Sequence, residues 1–220
     1  FMIKYTEIIS KSKIFDNIKK EDIPDMLNCL SATEKRYKKG EYILRRGDII
    51  NSVYMVAEGK IHILKEDYWG NQSILGEAGE GELFGEAYAC MGNVPVQVNA
   101  AAVKDSVIIR LDINKVLTVC PSACEFHSRL IRNLISVIAE RNLNLTNKLE
   151  CMSQRTTRDK ILSYLSMESQ KNKSSKFDIP FNRQQLADFL SVDRSALSKE
   201  MCKMRDEGIF KFNKNHFELL

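Results

Sequence analysis

The stretch RQQLADFLSVDRSALSKEMCKMRDEG, residues 183–208, decides the fold of the C-terminal part of this chain. Apolar residues recur at helical spacing in two runs, as they do on one face of an amphipathic helix. The break between the runs, Ser191-Val192, has the length of a tight turn. We therefore predict two short helices, at about 183–190 and 194–207, that cross at this turn as a helix-turn-helix.

Two positions inside this stretch favour the crossing. Ala187 is small enough to let a second helix pass close above it, and Asp193 is a good N-cap because its carboxylate can accept from the free N–H groups of the next turn. The side chains that we expect to be buried are Leu186, Ala187, Leu190, Ala196, Leu197, Met201 and Met204. Gly208 then ends the second helix, and two β-rich runs around residues 213–215 predict a hairpin, the wing of a winged helix.

Polar side chains lie at the N-terminal end of the predicted second helix, the end from which a recognition helix reads base edges in the major groove. An Arg there can make a bidentate contact with guanine, whereas hydroxyl groups and Lys make less specific base or phosphate contacts. The candidate DNA-binding residues are Arg183, Gln184, Arg194, Ser195, Ser198 and Lys199. The alternative is a packed helix pair of an ordinary α-helical domain, and the hairpin favours DNA binding over it.

The positive charge of the chain is concentrated near its C-terminus. Residues 151–220 carry 13 Lys and Arg against 9 Asp and Glu, a net of +4, whereas residues 1–150 carry 20 of each. A basic C-terminal part suits phosphate contacts, although a surplus of this size is also ordinary for a solvated surface. Because no run approaches the roughly 18 apolar residues of a membrane span and no signal segment is evident, we expect a cytoplasmic protein without membrane contact.

The remainder of the chain predicts a β-rich segment between helical ones. Residues 4–30 have helical spacing. From Glu34 to Asp112, short β-rich runs alternate with Gly, Asp and Asn, a pattern typical of a sandwich or a barrel-like roll. A long helix is predicted from Pro121 to about Met152, since Pro is favoured at the start of a helix.

The long helix carries an apolar row with the spacing of a coiled coil. Ile131, Ile138, Leu145 and Met152 fall seven residues apart, and Leu134 occupies an alternating position. Charged residues interrupt the second row. Such a stripe can pack on the helix's own domain or form a dimer seam, and a helix much longer than the average of about 11–12 residues favours the seam.

Three stretches in this order, KKGEYILRRGD (38–48), GELFGEAYAC (81–90) and RQQLADFLSVDRSALSKE (183–200), resemble the cyclic-AMP receptor protein/FNR (Crp/Fnr) family of bacterial transcription regulators. The resemblance covers nearly the whole chain. It implies an α+β fold: an N-terminal cyclic-nucleotide-binding-like β-roll (a double-stranded jelly roll), a long dimerisation helix and a C-terminal winged helix-turn-helix. We place these three parts at 2–120, 121–152 and 153–220.

The family implies a homodimeric regulator that binds double-stranded DNA and contacts RNA polymerase, and not an enzyme. An effector in the β-roll shifts the dimer helices, so that two recognition helices reach a spacing of roughly 34 Å on a palindromic operator. The alternative is a cytoplasmic ligand- or redox-sensing module that acts through a protein partner. An enzyme is disfavoured because the three histidines are scattered and no nucleophile–base spacing stands out.

The sequence departs from the family at the cassette that binds cyclic nucleotides. Gly85 and Glu86 match the pattern, in which the Glu holds the ribose, but Val96 and Gln97 stand where an Arg pairs with the phosphate. A buried phosphate without a cation costs several kcal/mol, so we expect no binding of cyclic AMP. The candidate effector-pocket residues are Phe84, Gly85, Glu86, Ala87, Val96 and Gln97. Either another ligand uses this pocket, or Gly85-Glu86 is only a structural turn.

The recognition helix departs from the family as well. In the best-known members an acidic residue follows the position of Arg194, and here that residue is Ser195. A Glu there accepts from a cytosine amino group, so its replacement predicts a different half-site.

The six cysteines are spread along the chain, which suits reduced thiols and not a disulfide scaffold. The N-terminal cysteine cluster with which FNR-type members hold an iron–sulfur centre is missing. Cys120 and Cys124 have i, i+4 spacing, and with Cys29 and Cys90 they would give four soft ligands for an iron–sulfur cluster or zinc. The alternative is that they are small buried apolar residues. His127 is either a metal or haem ligand or a surface or interface histidine.

Overall fold

The structure, a computed structural model, describes residues 2–69, 72–118 and 125–220. The chain divides into two compact units, residues 1–139 and 140–220, and each has its own buried apolar core. None of the helices in the described ranges is both long and apolar enough to cross a membrane.

The first unit is a β-roll with short helices before, within and after it. Its 3-10 helical turns are Met2–Tyr5, Lys13–Phe15 and Lys20–Asp22, and its short α-helices are α1 (Thr6–Ser10), α2 (Ile23–Cys29), α3 (Glu86–Met91) and α4 (Ile113–Leu117). Its strands are β1 (Thr33–Tyr37), β2 (Tyr42–Leu44), β3 (Ser52–Glu58), β4 (Ile61–Glu66), β5 (Gln72–Ala78), β6 (Leu83–Phe84), β7 (Asn99–Ala102) and β8 (Ser106–Asp112).

Two four-stranded antiparallel sheets form the roll, with strand orders β1-β8-β3-β6 and β2-β7-β4-β5. Strand β3 is buried from Ser52 to Ala57 because both of its faces are covered, which explains why SVYMVA reads as a continuous apolar run and not as an alternating one. In the first sheet Tyr54 of β3 lies opposite Arg110 of β8 and Phe84 of β6.

The turn between β3 and β4 depends on Gly59. Its φ of +106° lies in a region that L side chains rarely adopt. A Cβ at this position would lie 2.1 Å from Ser106 Oγ and 2.7 Å from Ser106 Cα. The close approach of β8 therefore requires a residue without a side chain.

The long helix α5 (Glu125–Ser153) ends one residue beyond the predicted Met152, while its predicted start at Pro121 lies outside the described residues. In the first unit, Leu130, Leu134 and Val137 are buried in the core of the roll. The placement of Leu134 in a dimer seam was therefore wrong, because this side chain packs on its own domain. The large apolar side chains of α5 that remain exposed are Ile135, Leu143, Leu145 and Leu149.

The second unit is a winged helix. After the end of α5 come α6 (Thr157–Asn172), β9 (Lys176–Asp178), α7 (Arg183–Leu190), α8 (Arg194–Asp206), β10 (Phe210–Asn213) and β11 (His216–Leu219). The three strands form an antiparallel sheet in the order β10-β11-β9, in which Phe177 lies opposite Phe217. The predicted hairpin is confirmed, and β9 is a strand that the sequence did not indicate. The α+β fold predicted from the sequence is the one observed.

Candidate nucleic-acid interface and effector site

The helix-turn-helix begins with a capping box at the start of α7. Asn182 Oδ1 accepts from the Gln185 N–H at 3.0 Å, and Gln185 Oε1 accepts from the Asn182 N–H at 2.9 Å. The pair satisfies two of the N–H groups that a helix start leaves without partners. At the other end, Ser191 takes a left-handed conformation (φ +51°), which turns the chain sharply towards α8.

Asp193 caps α8, as predicted. Its Oδ1 accepts from the backbone N–H groups of Ser195 (2.8 Å) and Ala196 (3.0 Å), and also from the Ser195 hydroxyl. The hydrogen bond from the Ser195 hydroxyl, followed by those from the two backbone groups, holds the pKa of Asp193 below its usual value. The cap fixes the start of α8, from which the candidate DNA contacts project.

The two helices bury one continuous apolar face. All of its members are at most 1% exposed: Leu186, Ala187, Leu190, Leu197, Met201 and Met204. Ala187 is fully buried, as its small size predicted. The expected burial of Ala196 was wrong, because Leu197, Met201 and Met204 define the inward face at helical spacing and Ala196 lies on its exposed flank.

The outward side of the first turns of α8 is polar. Arg194, Ser195 and Lys199 are exposed, and Ser198 is half-buried. The Ser195 hydroxyl is already engaged by the Asp193 carboxylate. Arg194 and Lys199 therefore present the charged groups at this end of the helix.

Arg183 is half-buried and is turned towards the wing. Its Nη1 lies 2.7 Å from Met201 Sδ, its Nη2 donates to the Lys214 carbonyl at 3.2 Å, and its guanidinium carbon lies 5.0 Å from the centre of the Phe212 ring. Burial lowers the pKa of Arg183 from the usual arginine value. Its neighbour Gln184 is exposed and donates to Asp188 Oδ1 at 2.8 Å, one helical turn away.

The wing adds two exposed cations that sequence reasoning missed. Lys211 lies on β10, and Lys214 lies at the hairpin tip with a left-handed φ of +55°. At the base of the wing, Asn215 Nδ2 donates to the Ile179 carbonyl at 3.2 Å. The sequence predicts the hairpin itself. No local motif, however, singles out the lysines on it as candidate DNA contacts.

Helix α6 is fastened to α8 by one arginine. The Arg158 guanidinium pairs with Glu200 at 3.4 Å and also with Glu207. The hydrogen bond with Arg158 keeps the pKa of the Glu207 carboxyl below its usual value. Arg158 thus ties the middle and the C-terminal end of α8 to α6.

In the first unit the cassette has a glycine in the left-handed region before α3. Gly85 (φ +78°) is surrounded, since a Cβ there would lie 3.2 Å from both Ile50 Cδ1 and Tyr54 Cδ2. Phe84 is buried and stacks on Tyr54, with ring centres 5.3 Å apart, and Glu86 is also buried. The cassette is therefore a tight turn packed against apolar side chains.

The two predicted pocket residues at the far end of the cassette have different surroundings. Val96 is buried, and its N–H donates to the Asp48 carbonyl while its carbonyl accepts from the Gly47 N–H, both at 2.8 Å. Gln97 and Ala87 are exposed. Val96 therefore secures the loop that contains Gly47, and no cation projects from these positions.

Comparison with known proteins adds two family matches. The model of the cyclic nucleotide-binding domain family matches residues 34–122, and that of the Crp-like helix-turn-helix domain matches residues 159–220. The two domains occur in the order of a regulator with a sensor before its helix-turn-helix. The chain belongs to the Crp/Fnr family.

Relatives of this Crp/Fnr protein match along almost the whole chain. A "Cyclic AMP receptor protein" of Thermus thermophilus is 23% identical over 209 residues, which are 94% of this chain and 92% of the relative. The solved structure of the c-di-GMP-responsive global regulator CLP of Xanthomonas campestris is 18% identical, with a TM-score of 0.54 over 91% of this chain and 99% of that one. The solved structure of DNR from Pseudomonas aeruginosa is 20% identical, with a TM-score of 0.51 over 100% of this chain and 95% of that one. At these identities the solved structures show the shared fold.

The cysteines of this Crp/Fnr protein do not form a metal site within the described ranges, where no three His, Cys, Asp or Glu side chains cluster suitably. Cys120 and Cys124 lie outside those ranges, so the four-cysteine site stays a prediction. Burial raises the pKa of the Cys90 thiol, which disfavours the reactive thiolate. Cys29 Sγ lies 3.7 Å from His127 Nε2, and His127 is buried within its own chain instead of on the surface.

Proposed function

We propose that the protein is a homodimeric transcription regulator that binds a specific operator through α8. The main support for this proposal is the capped N-terminal end of α8, where Arg194 and Lys199 are exposed next to Ser198. A helix with this end outward and its opposite face buried suits insertion into the major groove. RNA polymerase is the partner through which a bound regulator of this family would act.

Each candidate contact has its own role. Arg194 would read a guanine through two parallel hydrogen bonds, while Lys199 and Ser198 add base or phosphate contacts. Gln184, exposed at the start of α7, would add a phosphate contact. Ser195 would contribute mainly through the Asp193 cap, since its hydroxyl is engaged there.

Arg183 would act on DNA indirectly, through the position of the wing. Its guanidinium contacts the Lys214 carbonyl and the Phe212 ring, both in the hairpin. A wing held in this way would direct Lys211 and Lys214 towards the phosphate backbone. Arg183 is therefore a positioning residue in this proposal.

The dimer would form along α5. In the second unit Leu145 and Leu149 are both exposed and, at i, i+4 spacing, share one face of the helix. Leucines exposed on one face of a helix favour pairing with a second copy. A two-fold dimer would place two α8 helices on half-sites roughly 34 Å apart.

The β-roll would sense an effector other than cyclic AMP. Phe84, Gly85, Glu86 and Ala87 supply the cassette, but Val96 and Gln97 provide no charge for a phosphate. An effector that binds one dimer arrangement better than the other would shift the population towards it. The cassette would then couple a ligand to the spacing of the α8 helices.

Selection of bound DNA from a random pool tests the proposal. The full chain should enrich one sequence with two-fold symmetry, whose half-site centres are about one helical turn apart. The affinity for that sequence should fall steeply with salt, because phosphate contacts release counterions. Enrichment of no sequence, or of an asymmetric one, would contradict the proposal.

A further inference from the structure

The exposed side of α5 in the second unit carries an asparagine beside two leucines. Asn142, Leu145 and Leu149 are all exposed, and at i, i+3 and i+7 they share one side of the helix. A different side packs on the second unit itself, where Cys151 is 1% exposed. Asn142 is therefore the polar member of an outward row that is otherwise apolar.

This row has the spacing of a coiled coil once Leu134 is removed from it. Because Leu134 is buried in the core of the β-roll, the second row begins one residue later, at Ile135, which is 60% exposed. Ile135, Asn142 and Leu149 fall seven residues apart in the sequence. Leu145 follows Asn142 by three residues and precedes Leu149 by four. This alternation is the heptad pattern, and it gives Asn142 an a position and Leu145 a d position.

We propose that Asn142 faces the same residue of a second copy and fixes two α5 helices as a parallel pair in register. In such a pair each a residue meets its own counterpart, so one Asn142 Nδ2 would donate to the Oδ1 of the other. The inference rests on the dimer of the proposed function and adds the residue that sets its register and orientation.

Asn142 would reject the other ways of pairing the same helices. A slip by one heptad would bring it against Ile135 or Leu149 of the second copy, and an antiparallel pair would bring it against a d residue such as Leu145. Each arrangement buries the amide among apolar side chains without a partner, which is costly. A slip would also displace one copy by roughly 10 Å along the helix, and the two-fold symmetry that a palindromic operator requires would be lost.

The charges that flank the row favour the same orientation. Arg141 and Lys148 each precede an a residue and so occupy g positions. In an antiparallel pair g positions face each other, which would place Arg141 beside Lys148 of the second copy. In a parallel pair they face e positions, and these are the uncharged Thr146 and Ser153. The parallel pair therefore avoids a contact between like charges.

Charge variants at position 142 test the pairing by sedimentation equilibrium of the full chain at neutral pH. Two carboxylates would meet in Asn142→Asp and two ammonium groups in Asn142→Lys, so each variant alone should dimerise about tenfold or more weakly than the wild type. An equal mixture of the two variants should recover dimers, because opposite charges then meet. Asn144→Asp and Asn144→Lys are the controls, since Asn144 is also exposed but lies on the opposite side of the helix. Each control should dimerise like the wild type.

An apolar residue at position 142 tests the seam in the other direction. Asn142→Leu should dimerise about tenfold or more tightly, because an apolar side chain then replaces a polar one in the seam. It should also form assemblies larger than dimers, since the residue that specifies the pairing is gone. Unchanged affinity with dimers alone overturns the placement of residue 142 in the seam.

The outcomes separate this inference from the proposed function. A dimeric wild type whose Asp and Lys variants stay dissociated when mixed overturns the pairing of Asn142 with its counterpart and keeps the dimer. Dimers of wild-type affinity in both charge variants overturn it as well. A monomeric wild type contradicts the proposed function and, with it, this inference.

Discussion

The guanidinium of Arg183 donates to the backbone carbonyl of Lys214 at 3.2 Å and so joins the start of α7 to the tip of the wing. The same group lies 2.7 Å from the sulfur of Met201 and above the Phe212 ring. Arg183, which the sequence predicts as a DNA contact, therefore also links α7 to the wing.

We predict that Arg183→Gln loosens the wing in the absence of DNA. The amides of β10 and β11 should exchange their hydrogens faster, because the link between α7 and the hairpin is gone. Gln184→Ala, a change at the exposed neighbour, should leave wing exchange unaltered. If wing exchange is unchanged in Arg183→Gln while the slope of DNA affinity against salt falls by about 1, Arg183 is instead a phosphate contact.

The second unit shows which features a sequence can predict. The bounds of α7 and α8, the Asp193 cap and the hairpin were predictable because each depends on neighbours within a few residues. Strand β9 was not, since its three residues gain strand character only by pairing with β11, some 40 residues away. The partners of Arg183 are likewise distant in sequence, and no local pattern marks them.

The stability of the wild type relative to Asp193→Asn should depend on pH. The folded pKa of Asp193 is lowered, first by the Ser195 hydroxyl, so its contribution is complete above the unfolded pKa of about 3.9. It is lost as the pH falls through the still lower folded value. In denaturant unfolding, the wild type should exceed Asp193→Asn at neutral pH, and the gap should close below about pH 4.

Asp193→Ala is the control, because it removes the capping oxygen as well as the charge. It should remain less stable than the wild type even in acid, where a protonated carboxyl can still accept a hydrogen bond. A gap between wild type and Asp193→Asn that is the same at every pH would count against the cap as described.

Gly59→Ala should destabilise the β-roll strongly. A left-handed conformation costs an L residue about 1–2 kcal/mol, and the clash with the Ser106 backbone adds roughly 1–3 kcal/mol. Gly40→Ala is the matched control, since Gly40 also has a positive φ (+84°) but nothing within 4 Å of an added Cβ. Urea unfolding should show the larger loss for Gly59→Ala, and equal losses would contradict the close approach of β8.

Leu145→Glu and Leu149→Glu should turn the dimer into monomers without unfolding the chain. Burial of each leucine in a seam is worth about 1.5–3 kcal/mol, and a charge there removes that gain. Leu143→Glu is the control: Leu143 and Leu145 are both 62% exposed, but they point to different faces of α5. Sedimentation equilibrium should find monomers for the first two variants and dimers for the third. Dimers throughout would place the interface elsewhere.

Helix α5 also shows why the sequence alone misled in part. Leu134 occupies an alternating position beside the row of residues seven apart, yet it is buried in the core of the β-roll. A helix that packs on its own domain and pairs with a second copy has two apolar faces, and periodicity cannot assign each residue to one of them.

The reading of DNA by α8 is tested by the affinity of the wild type and of Arg194→Ala for the selected operator and for a scrambled duplex. We expect the wild type to prefer the operator and Arg194→Ala to lose about 1–3 kcal/mol of that preference per half-site. The variant should keep its binding to the scrambled duplex and its dimeric state. A wild type without preference, or an Arg194→Ala variant with the full preference, would contradict the reading of DNA by α8.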